Sequence, residues 1–179
     1  MSFSTPDVWQ AIALDAERES QVWRDALRPW GARDREPVFS PLAERRFALA
    51  LETIYEGYLV HYGNPRLFAS SDANTRLLLG DYLYAQGIVH LAATGSVEAV
   101  SDMAELISVS AQLQAGGRGR LDGPAWAATA ALLGQGELDS ARAALRERGD
   151  AAELRALAEM TAGANAVTRA LQLHTSRVG

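Results

Sequence analysis

Glu52 and Glu56 are the acids best placed for chemistry. Four residues apart in ETIYE, they share one face of any helix that contains them. Two carboxylates so arranged can offer oxygen ligands to a hard cation, although Mg2+ wants compact ligands in near-octahedral geometry. The competing expectation is a pair of glutamates at the surface or the rim of the core, where glutamate commonly sits. Asp81 is a third notable acid. It follows Gly80 in an apolar stretch, where an unpaired carboxylate is costly, so it requires an arginine or a helix-end amide as partner. His61, His90 and His174 lack the i, i+4 spacing of a helical metal site. The chain also has no GxSxG, P-loop, dinucleotide glycine pattern or HExxH.

The elements that must hold these groups read as helices. Roughly a fifth of the residues are alanine, the strongest helix former, and no segment alternates with period two for long. The expected class is all-α, and 179 residues suit one domain over 1–179. Cysteine is absent, which excludes disulfides and thiolate chemistry. Net charge is −5 and all 17 basic residues are arginine, a balance that argues against a nucleic-acid surface. No apolar run approaches the roughly 20 residues needed to span a bilayer. The opening residues MSFSTPDVWQ have no basic-then-apolar leader pattern, so the expected location is cytoplasmic.

Seven helices are expected. The first runs from a Ser4 or Thr5 cap, with Pro6 in its first turn, to about Arg28. Trp9, Ala16, Trp23 and Trp30 recur along it every seven residues, a seam for the chain's own core or for a subunit contact. Residues 31–40 read as an exposed connection. The second helix spans about Pro41 to Tyr62 and stops at Gly63-Asn64-Pro65. The third, about Asp72 to Thr94, is apolar around most of its circumference and therefore expected in the middle of a bundle. A fourth starts at the Ser96 cap. After the loop 115–124, three more are expected near 124–133, 137–148 and 150–175. The segment 126–150 has the composition of a tetratricopeptide-style hairpin, but no second copy recurs at a fixed period.

Three landmarks fall in one register. Glu52-Thr53-Ile54-Tyr55-Glu56 is followed after four residues by His61-Tyr62-Gly63-Asn64-Pro65, and later by Gly80-Asp81-Tyr82-Leu83-Tyr84-Ala85. This order resembles that of trans-isoprenyl (polyprenyl) diphosphate synthases, which carry DDxxD, then RRGxP, then GDxLxA. The resemblance covers about residues 42–115 and implies an isoprenoid-synthase-like bundle, with Gly63, Pro65, Gly80 and Asp81 in structural roles. It also implies a degenerate site. Glu52 and Glu56 would hold Mg2+ weakly or not at all, and His61-Tyr62 replaces the arginine pair that grips diphosphate, with Arg66 nearby as a partial stand-in.

Tyrosine cannot reproduce a guanidinium fork on a diphosphate, and no second aspartate-rich motif follows. The resemblance therefore implies no catalytic residue in this chain. It implies a small regulatory subunit that supports a catalytic prenyl diphosphate synthase as a homo- or hetero-oligomer. Two alternatives stand beside it. One is a prenyl-binding module whose cavity is lined by Tyr55, Tyr58, Leu78 and Tyr82. The other is a helical homodimeric interaction protein.

Overall fold

Ser20 divides the tryptophan-bearing N-terminal segment in two. Its backbone is extended and its hydroxyl accepts a hydrogen bond from Trp23 N at 3.1 Å, capping a new helix. The expected single helix is thus α1 (Val8–Glu19) and α2 (Gln21–Ala26). A serine that bonds its own neighbourhood offers the chain an alternative to helix continuation, and here that alternative prevails. A computed structural model of the chain describes residues 7–70 and 72–178. The expected Ser4 or Thr5 cap and Pro6 lie outside the described residues, and Asp7 caps α1 by accepting from Gln10 N at 2.7 Å.

The second expected helix starts later than its sequence suggested. Pro41 lies in a short 3-10 turn, Ser40–Leu42, and a second such turn, Arg45–Phe47, precedes α3 (Ala48–Tyr62). Ala43 and Glu44 between them are extended, so no helix can run through. Tertiary burial explains the detour. Val38, Phe39, Leu42 and Phe47 are all inserted into the core, so the segment expected to be an exposed connection anchors the fold.

α3 is the central helix, with every residue from Ala50 to Val60 buried. Against it packs α4 (Ala73–Ala92), capped by Asp72 through Thr75 N at 2.6 Å. Glycines set their close approach. A Cβ on Gly57 would stand 3.0 Å from Gly80 O, and one on Gly87 would overlap the Ile54 side chain. α4 itself is not a central helix. Leu79, Gly80, Leu83, Gly87 and Leu91 are buried, while Leu77, Leu78 and Val89 remain more than half exposed. Apolar residues on every side of a helix indicate full burial only where enough neighbours exist to cover them.

α5 (Val97–Ala115) begins at the expected Ser96 cap. It is followed by α6 (Gly123–Ala131), α7 (Asp139–Arg148), α8 (Ala152–Ala162) and α9 (Ala164–Val178). The last expected helix is two, because Gly163 adopts φ +90° between them, a region that favours glycine. Among the described residues there are nine α-helices and no strand, only an isolated bridge pairing Leu27 with Phe68. The result is a single all-α domain with nine helices where seven were expected. Its main core joins α3, α5, α6, α7, α8 and α9, and a smaller cluster holds Ile12, Ala16, Phe68, Leu79 and Leu83. No helix of the described residues is long and apolar enough to cross a membrane.

Candidate functional site

Glu52 and Glu56 do lie on one face of α3, but they are deeply buried and already hold a cation, Arg66. The guanidinium Nη1 stands 2.7 Å from Glu52 Oε2, and Nε stands 3.0 Å from Glu56 Oε2. Glu56 Oε1 also accepts from the backbone amides of Arg66 and Leu67, at 2.8 and 2.7 Å. Arg66 further donates to the carbonyls of Glu52 and Glu36, and its guanidinium lies 4.7 Å from the Trp9 ring and 5.0 Å from the Tyr55 ring. Burial alone would discourage its charge. The two glutamates outweigh that and hold it protonated beyond an ordinary arginine.

This arrangement corrects two expectations. The glutamates are neither solvated nor open to magnesium, because an ion between them would have to displace a guanidinium that makes four hydrogen bonds. Arg66, in turn, is unable to stand in for a diphosphate-gripping arginine, since its side chain is sealed inside the fold. Among the described residues no group of three or more His, Cys, Asp or Glu is placed to hold a metal ion.

The break after α3 has a role of its own. Asn64 N donates to Arg177 O at 2.9 Å, and a Cβ on Gly63 would stand 2.7 Å from that same carbonyl. Gly63 therefore lets the end of α9 close over the loop that Pro65 continues. His61, in the last turn of α3, pairs with Asp81 at 3.2 Å. Asp81 is exposed at 64%, so it is not the buried acid expected, and its partner is a histidine rather than an arginine or an amide. Gly80 leaves room for the His61 ring, which a Cβ would overlap. Tyr62 is partly exposed and packs at an angle against Tyr58.

The four residues expected to line an apolar cavity do not converge on one. Tyr55 and Tyr58 are sealed in an aromatic cluster with Phe39, Trp126 and His174. Leu78 faces outward at 59% exposure, and Tyr82 stacks on Trp23 with ring centroids 5.8 Å apart. Of the expected interface tryptophans, Trp9 and Trp23 are half-buried against the chain's own smaller core cluster. Trp30 is the exposed one, flanked by the guanidinium groups of Arg33 and Arg35 at 5.1 and 4.9 Å.

Two polar networks escaped the sequence reading. In the first, Tyr58 OH donates to Asp122 Oδ2 at 2.6 Å, His174 Nε2 lies 3.0 Å from Asp122 Oδ1, and Tyr55 OH lies 3.0 Å from His174 Nδ1. Both ring nitrogens of His174 are thus engaged, and the cluster joins α3, the start of α6 and α9 as a structural lock. In the second, Arg142 pairs with Asp102 at 3.3 Å and donates to Thr129, tying α7 to α5 and α6. Neither contains a local motif. A buried charge pair between distant helices leaves no spacing to recognise.

The tyrosines make this packing sensitive to alkali. Burial raises the proton affinity of all five phenols, most strongly at Tyr55, Tyr58 and Tyr84, while Tyr82 is pushed up to about 12. An unfolded chain loses these protons near pH 10, roughly the ordinary tyrosine value. The folded chain keeps them, so their contribution to stability is complete below that pH and is lost as pH rises through the folded-state values. An alkaline titration followed at 295 nm and by far-UV circular dichroism is expected to show most phenolate appearing only as helix signal disappears. Full ionisation with the helices intact would refute the burial.

The chain matches no protein-family model, no curated protein and no solved structure.

Proposed function

We propose that this chain is a non-catalytic helical subunit that docks on a partner through the outer face of α4. On the resemblance of its 52–85 region, that partner is a catalytic polyprenyl diphosphate synthase subunit within an isoprenoid-synthase-like assembly. The observation that carries the reading is the incomplete cover of α4. That helix is covered by α3 and by α1 and α2, while Leu77, Leu78 and Val89 stand at 55%, 59% and 59% exposure. Leu78, Ala85, Val89 and Ala92 follow each other at spacings of seven, four and three residues, which makes one continuous stripe. Each large apolar side chain left in water forgoes roughly 1.5–3 kcal/mol of burial, and such a row along one helix is a surface for another protein.

The engagement of Glu52, Glu56 and Arg66 with one another supports a role without metal-assisted diphosphate chemistry in this chain. The prenyl-binding alternative has less support, because its four lining residues point to three different environments. A homodimer through the same stripe is the remaining competitor.

The deciding experiment is affinity capture from the native cell with the parent chain and with Leu78→Glu. Recovery of a prenyl diphosphate synthase subunit by the parent, and its loss by at least about tenfold with the charged variant, is expected because a buried unpaired charge is strongly disfavoured at an interface. Leu78 is exposed, so the variant should fold. A parent chain that captures no such subunit and sediments as a dimer would replace the reading with the homodimer. Turnover of allylic and homoallylic diphosphates by the purified chain alone would overturn it.

A further inference from the structure

A second feature lies beside α4 and does not depend on its outer face. The isolated bridge between Leu27 and Phe68 draws the end of α2 onto the loop that follows α3. Arg28 N donates to Leu67 O at 2.8 Å, and Ala69 N donates to Ala26 O at 2.7 Å. This holds Arg28 at a cleft of about 390 Å³ that Arg76, from the start of α4, also lines. Arg76 is steadied by a hydrogen bond from Nη2 to Val60 O at 3.2 Å, at the C-terminal end of α3.

Two arginines lining one cleft give it a positive potential that favours an anion. Among the described residues, neither Arg28 nor Arg76 has a carboxylate within 4 Å. The two acids nearest in sequence to Arg76 are engaged elsewhere, Asp72 on Thr75 N and Asp81 on His61. The positive field reaches the neighbouring histidine. Burial chiefly lowers the proton affinity of His61 and Asp81 opposes this, while Arg76 adds to the lowering. In a chain of net charge −5, such a local excess of positive charge is unlike the surface as a whole.

We infer that the cleft lined by Arg28 and Arg76 binds a phosphate dianion, free or carried on a small organic group. Planar arginine forks match the oxygens of a phosphate in a bidentate manner. Asn64 and Ser70 line the same cleft, the Asn64 amide donating to Arg177 O and the Ser70 hydroxyl bonded to the Asp72 backbone. Phe68 and Leu79 add apolar lining, and the volume exceeds what an inorganic phosphate fills, so a small organic group on the phosphate has a surface to pack on.

Inorganic phosphate and phenyl phosphate, titrated at constant ionic strength against chloride, are the probes. Both are expected to raise the thermal midpoint of the full chain with saturation, and calorimetry should give one site. Arg28→Gln and Arg76→Gln should each weaken binding about tenfold. Arg18→Gln removes the same charge from the exposed face of α1 and should leave binding within about twofold. Far-UV circular dichroism checks that each variant is folded. Tighter binding of phenyl phosphate identifies an organic phosphate as the occupant, equal binding identifies free phosphate, and either supports the site. Stabilisation no greater than with chloride, or an equal loss in Arg18→Gln, overturns it. These readouts need no partner protein, so failure here is distinguishable from failure of the docking reading.

Discussion

Arg66→Ala is expected to cost about 3–5 kcal/mol of stability, the range for removing one partner of a buried ion pair. The parent places Glu52, Glu56 and Arg66 together, with side chains at 2%, 0% and 0% exposure. Without the guanidinium, two carboxylates on one face of α3 remain out of water with each other as neighbours. Glu56 still accepts from two backbone amides, so it tolerates the loss better than Glu52, whose Oε1 is already without a partner. Domains of ordinary stability hold roughly 5–15 kcal/mol in total, so the variant should unfold at a much lower urea concentration.

Replacing all three as Glu52→Leu, Arg66→Met and Glu56→Gln should recover most of that loss. The desolvation of the charges disappears with them, and the side-chain amide introduced by Glu56→Gln keeps an acceptor for the two backbone N–H groups. A single variant within about 1 kcal/mol of the parent would mean the triad is not buried as described.

Asp122→Ala carries the second large effect, expected at about 3 kcal/mol. Two buried donors converge on this carboxylate, Tyr58 OH at 2.6 Å and His174 Nε2 at 3.0 Å. Hydrogen bonds to a charged group contribute about 1.5–3 kcal/mol each, and stranding their donors carries a desolvation penalty. The Trp126 indole Nε1 in the same cluster already has no partner, so no spare acceptor is at hand. Asp122→Asn keeps one acceptor oxygen and should lose about half as much. Urea denaturation of the three proteins measures the series, with a midpoint shift at constant slope as the expected form. Equal midpoints for Asp122→Ala and the parent would remove the lock from the account of how α3, α6 and α9 are held.

Much of the secondary structure was legible because its causes are local. Alanine content decides the class, Asp72 and Ser96 mark helix starts, and Gly63 and Gly149 mark stops. The shared face of Glu52 and Glu56 also follows from helix geometry alone. Errors arose where a local rule met a competing demand. Ser20 took a capping role inside an uninterrupted pattern, and Val38 and Phe39 were drawn inward from a segment rich in turn formers.

Composition and spacing, then, determined that this chain is helical, that its two central acids lie on one helix face, and that the 63–65 segment turns the chain back. The tertiary structure alone decided what those acids meet and what covers each helix. Tyr55 and His174 are 119 residues apart, Arg66 reaches across the turn to fill the space between two glutamates, and α4 leaves Leu77, Leu78 and Val89 uncovered. Helix formation depends on neighbours within about four residues. Ion pairing and burial depend on which surfaces remain after every helix has packed, and that sum is taken over the whole molecule.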